Sequence, residues 1–166
     1  MHKDIKMKVY LGIGTNLGNR ENNLNEALAL VNEHIGPVRR SSAVYETEPW
    51  GFRSENYFLN MVVEIETKLR PSGLLGRILM AEAHMGRLRN EKEYSSRLID
   101  IDILLYGNRV FEQKSLVIPH PRLHKRKFVL VPLCDLVPDL VHPVLGITVK
   151  ALLKECPDKS KVRKFK

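Results

Sequence analysis

The stretch R97-L-I-D-I-D-I-L-L105 decides the fold. It is apolar enough to lie inside a sheet, yet it carries two aspartates, Asp100 and Asp102. Side chains alternate along a strand, so Ile99, Ile101, Ile103 and Leu105 are expected on one face, and Leu98, Asp100, Asp102 and Leu104 on the other. Two like charges on one side of a half-buried strand need a cation or a proton between them. Oxygen ligands at this spacing suit a hard divalent ion such as magnesium, which takes a carboxylate or two from protein and completes its shell with water and phosphate. Pairing of both aspartates with arginines in a structural network is the alternative.

Upstream, "RLRNEKEYSS" (87–96) leads into this strand, and Arg87, Arg89 and Arg97 supply planar donors matched to phosphate oxygens. With so few apolar residues, the stretch reads as a solvated loop able to order over a substrate. Working further outward, "KVYLGIG" (8–14) reads as a strand and "ENNLNEALALVNEHIG" (21–36) as a helix with Leu24, Leu28, Val31 and Ile35 at helical spacing. "SSAVYET" (41–47) and "FLNMVVEIET" (58–67) read as two more strands, and "SGLLGRILMAEAHMG" (72–86) as a second helix. In 58–67, Leu59, Met61, Val63 and Ile65 share one face, opposite Phe58, Asn60, Val62 and Glu64. An aromatic plane beside an amide suits a flat heterocycle, though ordinary packing also accounts for the pair.

The order is strand, helix, strand, strand, helix, strand. That predicts an α+β, ferredoxin-like βαββαβ core, an antiparallel sheet with helices on one face. Additional C-terminal elements follow: edge-strand material in 108–121, an ambiguous proline-interrupted segment in 127–139, and a short helix in 148–155 capped by Thr148. "GIGTNLG" (12–18) has the spacing G-x-G-x-x-x-G, which is not the dinucleotide fingerprint; it is expected to form a tight turn before the first helix. His120, between prolines, could reach a phosphate or be an ordinary loop residue.

The chain of 166 residues suits a single domain over 1–166, with residues 1–7 as an extension and the basic end 156–166 as a flexible tail. The 43% hydrophobic and 28% charged composition is that of a globular protein, not a disordered one. No apolar run reaches the roughly 18–20 residues that span a bilayer, and no signal peptide is evident, so a cytoplasmic location is expected. Cys134 and Cys156 form no metal or redox motif and are expected to be free thiols. A formal charge of +8 favours anionic partners. A ferredoxin-like RNA-binding module would need aromatics where the central strand has aspartates, and a magnesium-dependent nuclease is a further alternative.

"RLIDIDILLYGN" (97–108) resembles the signature of the 6-hydroxymethyl-7,8-dihydropterin pyrophosphokinase family, supported by "GTNLG", "YETEPWG", "YFLN", "GRLR" and "IPHPRLHKRKFVL" in family-like order. The resemblance runs from about residue 9 to 153. It implies a monomeric ferredoxin-like enzyme that moves the pyrophosphoryl group of ATP to the hydroxymethyl oxygen of the pterin, releasing AMP, with no nucleic-acid or membrane partner. It further implies that Asp100 and Asp102 hold two magnesium ions, and that Arg87 and Arg97 assist the transfer. Glu82, Arg89, Ile103, His120 and Arg126 correspond to positions around ATP. Phe58 and Phe128 correspond to a pterin sandwich, with Asn60, Thr47 and Trp50 completing that pocket. "YSSR" (94–97) departs from the family's usual "WGPR", and Pro121 stands where some members have tyrosine.

Overall fold

The protein is described here by a computed structural model that covers residues 5–49, 56–86 and 98–166. β1 (Met7–Thr15) is an interior strand of the main sheet: it pairs antiparallel with β4 (Phe58–Thr67) on one side and β5 (Asp100–Tyr106) on the other. β4 carries on its far edge two short strands, β2 (Val38–Ser41) and β3 (Tyr45–Thr47). The sequence reads as one strand there. The break falls at Ser42, whose hydroxyl accepts the Val62 N–H at 2.9 Å and so substitutes for a ladder bond. The resulting order β5-β1-β4-β3, all antiparallel, is the ferredoxin-like arrangement expected.

Alternation along β1 and β4 builds two cores. Val9, Leu11, Ile13, Leu59, Met61, Val63 and Ile65 meet α1 (Arg20–His34) and α2 (Pro71–His84) on one face. α1 starts at Asn19, whose side chain accepts the Asn22 N–H at 3.1 Å, and it buries Leu24, Ala27 and Val31. The opposite face is also covered, a difference from the one-sided layering expected. There Tyr10, Val62, Leu104 and Leu105 pack against α3 (Lys127–Leu136) and α4 (Val149–Glu155). The ambiguous proline-containing segment is therefore a helix: burial of Val129, Leu130, Pro132 and Leu133 outweighs the backbone bond that Pro132 removes. Thr148 caps α4 as expected, accepting the Ala151 N–H at 3.1 Å. β6 (Phe111–Gln113) and β7 (Leu116–Ile118) form a separate hairpin rather than an edge of the main sheet.

Three further expectations fail. Leu105 does not share a face with Ile101 and Ile103, because the β1/β5 register slips: Leu11 lies opposite Ile103 but Tyr10 opposite Leu105. The extra residue, Leu104, is a bulge that sends Leu104 and Leu105 together into the second core. The basic end is not a loose tail. Val162–Lys164 forms β8, which pairs antiparallel with β3, and Phe165 packs against the first core. At the other end, Met7, read as part of an extension, already pairs with Thr67.

Candidate active site

The register assembles a row of side chains across one end of the second face. Asp100 lies opposite Gly14, Gly14 opposite Asn60, and Asn60 opposite Tyr45; to one side of this row Asp102 lies opposite Gly12, and to the other Thr47 lies opposite Phe58. Partners in a ladder share a face, so both carboxylates and the Thr47/Phe58/Asn60 group point the same way from neighbouring strands. Between them lies Gly14. A Cβ at that position would sit 2.6 Å from the Asn60 side-chain oxygen, closer than such atoms approach, whereas at Gly12 it would make ordinary contact with Leu104 at 3.5 Å. Gly14 thus admits the Asn60 amide to the middle of the row. The glycines expected in a turn are strand residues under the site, and the turn itself is made at Gly18, with φ of 66°.

Asn60 and Thr47 are nearly inaccessible, 8% and 2% exposed. The Asn60 Nδ2 donates to Thr47 Oγ1 at 2.8 Å, which fixes the amide so that Oδ1 faces Gly14. Asp100 and Asp102 are half-buried. Two oxygen-only ligands on one side of a strand fit a hard divalent cation, and among the described residues no third His, Cys, Asp or Glu joins them. The donor set therefore suits an ion that finishes its shell with water or substrate oxygens.

α3 covers the same face and brings Arg126 and Phe128, with the guanidinium 5.6 Å from the ring centroid. His120 is tied to β5 by its backbone N–H, which donates to Leu104 O at 2.9 Å. Its Nδ1 accepts the Arg122 N–H at 3.1 Å, so the neutral ring carries its proton on Nε2 and presents a donor. Behind the row, Asp135 of α3 accepts from the Tyr45 hydroxyl at 2.8 Å and from the Ala43 N–H at 3.2 Å. Burial, reinforced by that bond to the carboxylate, pushes the Tyr45 phenol up to about 12. Further along, Arg40 and Tyr10 both donate to Glu64, at 2.6 and 2.8 Å. The Arg40 bond holds Glu64 below the usual carboxylate range, while burial and then Glu64 push Tyr10 up to about 12.

Trp50, Arg87, Arg89 and Arg97 lie outside the described residues. Ile103 lies on the apolar face expected of it: its side chain belongs to the first core at 5% exposure, so a contact on the aspartate side of β5 falls to its backbone. Glu82 is buried near the end of α2, which covers the opposite face, and is not in the row. The residues missed from the sequence are Gly14 and Tyr45. Only the pairing of β4 with β1 and with β3, which sets both opposite Asn60 and which composition does not reveal, could have singled them out.

The fold and the site define the class as an α+β protein whose ferredoxin-like sheet carries a carboxylate pair and a buried amide at one end. The family model for 7,8-dihydro-6-hydroxymethylpterin-pyrophosphokinase (HPPK) matches residues 10–138. The chain belongs to this family of transferases. It is 39% identical over 147 residues to a 2-amino-4-hydroxy-6-hydroxymethyldihydropteridine pyrophosphokinase of Aquifex aeolicus, covering 89% of this chain and 91% of that one. A protein of the same name from Bacillus subtilis is 41% identical over 128 residues, 76% of each chain. The chain spans only 20% of the folic acid synthesis protein fol1 of Pneumocystis carinii, to which it is 37% identical. In fold it is similar to a crystal structure of Plasmodium falciparum HPPK-DHPS, with a TM-score of 0.77 at 20% identity, covering 93% of this chain and 46% of that one.

Proposed function

We propose that this chain transfers the terminal pyrophosphoryl group of ATP to the hydroxymethyl oxygen of 6-hydroxymethyl-7,8-dihydropterin. The acceptor oxygen bonds to the β-phosphorus as the bond from that phosphorus to the α,β-bridging oxygen breaks; AMP leaves with that oxygen, and the hydroxyl proton passes to solvent. The observation that carries this reading is the row Asp100–Gly14–Asn60, which sets a carboxylate pair and a buried amide side by side on one sheet face. Asp100 and Asp102 would hold two magnesium ions, which when bound offset the charge of the triphosphate.

The remaining roles belong to the chain's own groups. Phe58 and Phe128 stack on the pterin, and the fixed Asn60 amide, Thr47 and Trp50 read its edge. His120, through its Nε2 donor, joins Arg89, Arg126 and the backbone of Ile103 around the nucleotide. Arg87 and Arg97 stabilise charge that develops on the transferring oxygens. The hydroxymethyl oxygen is a weak nucleophile, so alignment supplies much of the acceleration. We also read the enzyme as a monomer acting in the cytoplasm. Among the described residues no helix is long and apolar enough to cross a membrane. The test is incubation with ATP, magnesium and the hydroxymethyl pterin: AMP formed in step with pterin diphosphate is the expected result, and ADP would overturn it.

A further inference from the structure

The end of the chain touches both α3 and β3, the elements that carry Phe128 and Thr47. Arg126 occupies the N-cap position of α3 but makes no capping hydrogen bond, because a guanidinium only donates. The cap comes from 31 residues downstream: Asp158 accepts the Lys127 N–H through Oδ2 at 3.0 Å, and its Oδ1 accepts the Ser160 N–H at 2.9 Å. A carboxylate at this position also complements the helix dipole. Four residues on, β8 pairs with β3 in the register Val162 opposite Thr47 and Lys164 opposite Tyr45, and the Phe165 N–H donates to Val44 O at 2.8 Å. The segment is pinned at its far end by Phe165, whose ring lies 5.7 Å from the Arg20 guanidinium, and Arg20 in turn binds Glu46 of β3 at 2.9 Å.

The link closes a ring. The C-terminal end of α3 is already joined to β3 through Asp135 and Tyr45, and residues 158–165 join the N-terminal end of α3 to the same strand. We propose that residues 158–165 are a positioning strap for the acceptor pocket, in which Asp158 and β8 set the separation of Phe128 on α3 from Thr47 on β3. The family model ends at residue 138, so this strap lies beyond the segment it matches. The inference rests on the reading of Phe128 and Thr47 as pocket walls.

The test uses the full chain and three variants. Arg163→Pro disrupts the β8 ladder, Asp158→Ala removes the cap, and Asp158→Asn retains an acceptor. Amide hydrogen exchange is read at Tyr45–Thr47 and at Lys127–Phe128, alongside KM for pterin, KM for ATP and kcat. The strap requires that Arg163→Pro speed exchange at Lys127–Phe128 as well as in β3. It also requires that Arg163→Pro and Asp158→Ala raise the pterin KM about tenfold, with ATP KM and kcat within about twofold, and that Asp158→Asn restore most of it. Faster exchange confined to β3, or parallel losses for both substrates, would overturn it. Should the wild-type chain form no AMP, the reading of the pocket fails, and the exchange at Lys127–Phe128 still decides whether the strap couples the two elements.

Discussion

Asp102 and Gly14 act at the site in opposite ways, one by what it carries and the other by what it lacks. Asp102→Ala removes one of two carboxylates from a half-buried strand position. Turnover is expected to fall by about three orders of magnitude or more, with the thermal midpoint little changed, as measured by AMP release and by circular dichroism. Gly14→Ala adds one methyl 2.6 Å from the Asn60 side-chain oxygen. It should turn that amide and raise the pterin KM by about tenfold while leaving ATP binding intact. The effect is specific to that neighbour, so in an Asn60→Ala background Gly14→Ala should cost much less, a non-additivity that a double-mutant cycle measures. The aspartates were legible in the sequence because two charges in an apolar strand conflict with their surroundings. Gly14 was not, because its meaning lies in a residue 46 positions away across a strand pair.

Elements with strong periodicity followed their patterns: α1, α2, β1 and β4 lie where their apolar spacing puts them. The failures share a cause, tertiary context overruling local preference. The Leu104 bulge answers to the register with β1, α3 forms despite Pro132 because its apolar face is buried, and β8 forms from a basic stretch because β3 offers an open edge. The buried tyrosine–carboxylate bonds also give the fold a pH signature. Tyr45 and Tyr10 both titrate at about 12 in the fold against an ordinary value near 10. As pH rises through 10 the unfolded chain loses these protons first, so stability should decline between about pH 10 and 12. Urea midpoints followed over that range should show the decline, and Tyr45→Phe should lessen it by removing one of the contributing groups.

For the whole molecule, the sheet supplies rigidity and the ligands supply chemistry, and the two can be separated. Chelation of divalent ions with EDTA should abolish pyrophosphoryl transfer and leave the unfolding midpoint of the apo chain unchanged, since both cores are built from apolar side chains and not from a metal cage. An excess of magnesium should restore activity. The site's location at one end of the sheet was implicit in the strand order. The covering of both faces was not, because periodicity tells which side of a strand is apolar and leaves open what will cover it. The interior position of β1 has a further bearing on how the molecule comes into being. Its two neighbours begin 51 and 93 residues later, at Phe58 and Asp100, so the first strand of this sheet to be made waits with both hydrogen-bonding edges unmet. Such late closure slows folding and leaves a sticky apolar segment in the nascent chain, a vulnerability that chaperones or rapid capture by α1 would have to cover.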